Sequence, residues 1–148
     1  MDGKAIFVDG NPAIFLYFFR HYRQPAVGIT NRLRDWGWTW YIDSDKPKLY
    51  SIREAWLITR TSKGYHYYMD ALCKTFWQCL RRFYKLHKEI GDTGQIKLAR
   101  LRYQKYGMPF LVIRIYGKYD YDDIRVVKVR EPREFPAAEK ILSFFDLF

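Results

Sequence analysis

Apolar and polar positions change period several times along the chain, and each change marks a predicted element. "KAIFVDG" (4–10) reads as a short strand. In "NPAIFLYFFRHYR", Asn11 and Pro12 suit a helix cap and first turn, while the β-branched and aromatic content that follows suits a strand. "ITNRLRDWG" reads as a short helix stopped near Gly37. In "WTWYIDSD" (38–45), Trp38, Trp40 and Ile42 alternate with Thr39, Tyr41 and Asp43, which predicts a strand. "SIREA" reads as a turn of helix at most. "AWLITRT" and "YHYYMD" then read as two strands of a hairpin joined at Ser62-Lys63-Gly64.

A 3.6-residue period takes over at Asp70, read as the cap of a long helix reaching about Ile90. Leu72, Phe76, Trp77, Leu80, Phe83 and Tyr84 recur at its spacing. A second helix is expected over 95–106, ending at Gly107. Strands follow at 109–117 and 124–131, then the proline-bounded break 132–136 and a terminal amphipathic helix near 137–148. Strands, two helices and strands again predict an α+β fold, with an antiparallel or mixed sheet and two basic helices between the strand groups.

The 148 residues suit a single domain spanning 1–148. The most apolar run, "PAIFLYFF", ends at Arg20-His21 and is far short of the roughly 18 residues of a membrane span. A soluble, cytoplasmic protein with no membrane partner is expected. Cys73 and Cys79, six apart on the predicted helix, would point in different directions and are expected as two packed thiols rather than a disulfide. Only two Asn and four Gln accompany many charged residues, a thermophile-like composition.

Charge changes the picture more. The formal net charge is +10, and it is concentrated. Lys74, Arg81, Arg82, Lys85, Lys88, Lys97, Arg100, Arg102 and Lys105 face only Glu89 and Asp92 between 74 and 105, a local +7. With 20% aromatic residues, such a stripe suits the phosphate backbone and bases of DNA or RNA; a solvated helical face is the alternative. His87 is expected as a surface residue of that stripe. Trp36, Trp38, Trp40 and Trp56 are expected mainly in the core, with Trp36 the one nearest solvent.

Two short motifs could carry chemistry. "YIDSD" sets Asp43 and Asp45 two apart, on one face of a strand, where a carboxylate pair can share Mg²⁺ or Mn²⁺ with a triphosphate. In "TSKGYHYY", Ser62, Lys63 and the Gly64 backbone can donate to a phosphate, and His66 can project beside them.

Together these motifs resemble the archaeo-eukaryotic primase superfamily. It includes primase-polymerases of archaeal plasmids and viruses and the polymerase domains of bacterial end-joining ligases. The resemblance spans about ten residues in motif and roughly 38–130 in layout. It implies metal binding by Asp43 and Asp45, phosphate binding by Ser62 and His66, and catalysis by Asp43, Asp45 and His66 as a nucleotidyltransferase of a replication or mobile-element system. The third motif of that family is usually a strand bearing a further carboxylate. Here "LVIRIYGK" carries Arg114, with Lys118 after it; both suit phosphate binding. Asp120, Asp122 and Asp123 follow out of register. Two other readings stay open: a non-catalytic DNA- or RNA-binding module, and a metal-dependent nuclease using Asp43, Asp45 and an acid from 120–123.

The tail "AAEKILSFFDLF" is similar to a sliding-clamp-binding peptide through Ile141, Phe144 and Phe145, although Ala138 stands where that peptide usually has Gln. Alternatively, Ile141, Leu142, Phe145 and Phe148 pack a terminal helix onto the core.

Overall fold

The structure, a computed structural model, describes residues 3–147. Among the described residues, ten strands and three helices run in the order β1 (Lys4–Val8), β2 (Ile14–Phe18), β3 (Gln24–Thr30), β4 (Arg32–Leu33), β5 (Gly37–Trp38), β6 (Tyr41–Ser44), β7 (Ala55–Arg60), β8 (Tyr65–Met69), α1 (Phe76–Ile90), α2 (Gly94–Tyr106), β9 (Val112–Lys118), β10 (Arg125–Val129) and α3 (Ala138–Leu147). The fold is α+β, and every pairing in its sheets is antiparallel.

Two four-stranded sheets carry the molecule. The first has the order β1-β2-β3-β9 and the second β10-β7-β8-β6; β4 and β5 form a separate ribbon. One face of the second sheet (Ile42, Ile58, Tyr65, Tyr67) packs on α1 and α2 through Phe76, Phe83, Ile96 and Ala99. Its other face (Tyr41, Leu57, Tyr68) meets Ile29, Ile113 and Ile115 of the first sheet and Ile141 of α3. A sheet covered on both sides loses its in/out alternation. This is why all five residues of β8, "YHYYM", are buried.

Residues 12–23 resolve as a strand and a turn. Aromatic and β-branched side chains lose rotamer freedom in a helix but pack well between two neighbouring strands, here β1 and β3. The helix expected at 29–37 does not form. Its place is taken by the end of β3 and the β4–β5 ribbon, where the Gly37 backbone sits at φ 120.

The cap of the long helix lies five residues later than expected. Thr75 caps it, its hydroxyl accepting from the Gln78 N–H at 3.1 Å. Asp70 serves elsewhere: its carboxylate accepts from the backbone N–H groups of Arg133, Glu134 and Phe135 and from Arg130, pinning the segment before α3. The buried stripe of α1 is Phe76, Cys79, Phe83, His87 and Ile90, while Trp77 and Tyr84 face solvent.

Because α1 begins at Phe76, Cys73 lies before it, bridged to Trp38, and the chain turns between the two cysteines. That turn brings their Cα atoms to 5.7 Å and joins them in a disulfide, against the expectation of two thiols. Trp40 and Trp56 are core residues, and Trp36, like Trp77, is exposed. No helix among the described residues is long and apolar enough to cross a membrane.

The terminal helix forms as expected. Ile141 is fully buried, Leu142, Phe144 and Phe145 pack against the same core, and the Phe145 ring lies 6.5 Å from that of Tyr68. The Ile141, Phe144 and Phe145 set read as a clamp-binding peptide therefore faces inward. Phe148 lies outside the described residues.

Candidate functional site

The two motifs meet in space. Within the second sheet, β6 pairs with β8 so that Asp43 stands directly opposite His66, and β7 places Thr59 on the other side of His66. His66 Nε2 lies 3.3 Å from Asp43 Oδ1, the imidazole being 5% exposed and the carboxylate 43%. The hairpin turn joining β7 to β8 is closed by its own bonds: Thr61 N–H donates to the Gly64 carbonyl at 2.8 Å, and Gly64 N–H to the Thr61 hydroxyl at 3.1 Å. Gly64 is obligatory there, because a Cβ would collide with the Ser44 carbonyl oxygen. The close approach sets Ser62 and Lys63 beside the strand that carries Asp43, and Asp45 follows just beyond its end.

These residues line one cleft of about 360 Å³. Its floor is the outer face of the first sheet, including Phe15, Tyr17 and Arg114. One wall is α2, through Leu98, Leu101, Arg102, Lys105 and Tyr106. Asp43, Asp45, Ser62, Lys63, His66, Arg114 and Lys118, expected together from sequence, all line it. Five cations (Lys4, Lys63, Arg102, Lys105, Lys118), besides Arg114, which is paired with Asp123, face three acids, Asp43, Asp45 and Asp92. A concave surface with that excess focuses a positive potential.

Burial pushes the Asp43 carboxyl up, but His66, through its charge and hydrogen bond, and the more distant Arg114 and Lys118 outweigh it and hold the group below the usual carboxylate range. Asp43 is therefore ionised at neutral pH. Burial pushes the Tyr17 and Tyr22 phenols up, so both are neutral. Arg102, roofing Phe15 and Phe110 with its guanidinium, is lowered by burial to about 10 and stays charged.

Arg114 is not a free phosphate ligand. It makes two parallel bonds to Asp123, at 2.8 and 2.6 Å, and a third to the Gly117 carbonyl at 3.0 Å. Asp123 also accepts from the Ser62 hydroxyl at 3.4 Å. The acid that follows Arg114 out of register thus folds back onto it, neutralising it beside the cleft.

The basic stripe divides. Arg102 and Lys105 reach the cleft, and Arg82 is paired bidentately with Glu134. Lys74, Arg81, Lys85, Lys88, Lys97 and Arg100 are exposed on α1, α2 or the segment before them.

Three supporting residues escaped the sequence reading. Gln95, buried, accepts from the Asp43 N–H at 3.1 Å and donates to the Val112 carbonyl, joining α2 to both sheets. His87 is fully buried rather than on the surface: Trp40 Nε1–H donates to its Nδ1 at 3.1 Å, and its Nε2 meets the Asp92 carbonyl at 3.0 Å. Asp92 N–H in turn donates to the Asp43 carbonyl at 2.9 Å. A glutamine one residue into a helix and a histidine on its buried stripe were the available signals. The third, Thr59, is buried beside His66; its Oγ1, the His66 Nδ1 and the Tyr68 hydroxyl have no hydrogen-bond partner among the described residues.

Among the described residues no group of three or more His, Cys, Asp or Glu could hold a metal ion by itself. Two carboxylates are nevertheless the number that suits Mg²⁺ or Mn²⁺ arriving with a triphosphate, whose own oxygens complete the shell.

No protein-family model, no curated protein and no solved structure matches this chain.

Proposed function

We propose that the cleft binds a nucleoside triphosphate with its divalent metal, and that the chain is a small primase-like nucleotidyltransferase acting on DNA or RNA in a replication or mobile-element setting. The observation that carries this reading is the direct pairing of Asp43 with His66 across β6 and β8, beside the Ser62-Lys63 turn in a cationic cleft. Asp43 and Asp45 supply carboxylates for the metal; Ser62, Lys63, His66 and Lys118 supply donors for the phosphates. The metal, when bound with the nucleotide, neutralises charge on the transferred phosphoryl group. The exposed lysines and arginines of α1 and α2 offer a path for the nucleic-acid backbone.

A second reading is a nucleotide- or nucleic-acid-binding module without catalysis. It is favoured by one observation: Arg114, held by Asp123, occupies the strand where a third carboxylate would complete the metal set. The sliding-clamp partner is a weaker proposal, since Ile141 would have to leave the core before it could enter a clamp pocket.

Thermal unfolding with ATP or dATP plus Mn²⁺, beside Asp43→Ala and His66→Ala, tests the shared claim. Ligand at a hundred times its dissociation constant stabilises by about 2.7 kcal/mol. A metal-dependent rise in wild type that both variants lose is expected. No rise in wild type would remove the nucleotide site. Primer synthesis on a single-stranded template then separates the two readings: labelled product supports the transferase, and its absence with intact nucleotide binding supports the module.

A further inference from the structure

The cleft has one more chemical feature, an aromatic cluster at one end of its lining. The tight turn after β2, closed by the Tyr22 N–H to Phe19 carbonyl bond at 2.9 Å, packs Tyr17, Phe19 and Tyr22 together edge to face. All three rings line the cleft. The end of β9 brings Tyr119 to the same place. Arg23 N–H donates to the Lys118 carbonyl at 2.9 Å, and the Gln24 side-chain amide donates to the Tyr119 carbonyl.

The backbone at that junction is unusual. Gly117 and Lys118 are both left-handed, at φ 88 and φ 74. Gly117 can hold that geometry without cost, and a Cβ there would strike the Pro25 carbonyl oxygen. Lys118 is a residue with a Cβ in a region that disfavours one. The result is that its ammonium sits 5.4 Å from the Tyr22 ring centre and 5.3 Å from that of Tyr119, with both rings facing the cleft. Two tyrosine faces therefore flank a cation in a cavity that Asp43 also lines, with Tyr119 stacked on Tyr121 at 5.1 Å between ring centres and the Arg114 guanidinium 5.3 Å from its ring centre.

We infer that Tyr22 and Tyr119, backed by Phe19, form a nucleobase-stacking subsite of this cleft, so that a nucleotide is held at its base as well as at its phosphates. The inference rests on the nucleotide reading given above. Ring faces offer π surface rather than a donor and acceptor pattern, so the subsite accepts purines and pyrimidines alike, with larger rings stacking more strongly. Lys118 lies where the base and phosphate parts of the site meet, and its charge reaches both.

Isothermal titration of the full chain, with Mn²⁺ present throughout, tests this with three probes: ATP, CTP and inorganic tripolyphosphate. Wild type is expected to bind ATP roughly 5- to 150-fold more tightly than tripolyphosphate, the range one stacked base contributes, with CTP between them. Tyr22→Leu and Tyr119→Leu, both at partly exposed positions, should each erase most of that preference while leaving tripolyphosphate affinity within about twofold, which also reports that the variants are folded. Equal affinity for ATP and tripolyphosphate in wild type would overturn the stacking subsite and leave the phosphate site standing. Binding of neither probe would overturn both. Loss of tripolyphosphate binding in the tyrosine variants would place those rings in the phosphate site and refute a separate base subsite.

Discussion

Removing Arg114 should destabilise the protein far more than removing an ordinary surface arginine. The Arg114 and Asp123 side chains are 11% and 3% exposed, and two bonds of 2.8 and 2.6 Å join them. With charge centres about 4 Å apart and an effective dielectric of about 20, their attraction is roughly 4 kcal/mol. Arg114→Met leaves Asp123 buried and unpaired, at a cost of about 3–5 kcal/mol. Adding Asp123→Leu removes the stranded charge, so the double variant should recover most of that loss. Urea unfolding of wild type, both single variants and the double variant at pH 7 gives the coupling directly.

The pH dependence has a defined sign. Burial raises the Asp123 carboxyl, but the hydrogen bond and charge of Arg114 outweigh it and hold the group below its usual value. The pair therefore stabilises fully above the unfolded carboxylate pKa of about 3.9, and the contribution fades as pH falls through the lower folded value. Arg114→Met should accordingly lose least, relative to wild type, in acid. A cost under about 1 kcal/mol at pH 7, or a double variant as unstable as the summed singles, would refute a buried, mutually dependent pair.

Other consequences are narrower. Asp70→Ala should lower stability by about 2–3 kcal/mol, because the buried Phe135 N–H and its neighbours lose a charged acceptor; a change below about 0.5 kcal/mol in urea unfolding would show that the segment holds itself. Tyr68→Phe should be neutral or stabilising by up to about 1 kcal/mol, since the hydroxyl it removes is buried without a partner. A loss above about 2 kcal/mol would mean that the hydroxyl is satisfied, by Thr59 or by a bound water. Cys73 and Cys79 should show no free thiol when the unreduced protein is denatured and labelled, and reduction should cost about 2 kcal/mol through the short loop they close. Two labelled thiols would refute the disulfide.

The hairpin was legible because local chemistry governs it, whereas the facing of Asp43 and His66 depends on β6 pairing with β8, from which β7 separates it in the sequence. Ser-Lys-Gly marks the turn, and period 2 decides which strand residues share a face. The two basic helices were legible too, the second to its glycine stop at Gly107, which is left-handed at φ 78. What was not legible depends on partners distant in sequence. Residues 14–18 become a strand because β1 and β3 flank them. The disulfide depends on α1 beginning at Phe76, which Asp70 obscured by looking like a cap while serving the segment 133–135. His87 looked solvated among lysines because its acceptor role toward Trp40 spans 47 positions. The fate of Arg114 was hidden because Asp123 lies beyond the end of β9 and returns only once the following loop has folded.

Gly64 has a final consequence. With no side chain, it lets the hairpin turn rest directly on the backbone of Ser44, and the turn is closed by two hydrogen bonds of its own. The backbone that carries Ser62 and Lys63 is therefore packed against the strand bearing Asp43, which couples the two halves of the site. A ligand arriving there does not have to order a loop, a step that elsewhere consumes part of the binding free energy. Binding should then change hydrogen exchange little across residues 61–64, unlike sites built on lids. Widening that contact by a single methyl group would turn a pre-set site into one that each ligand must assemble.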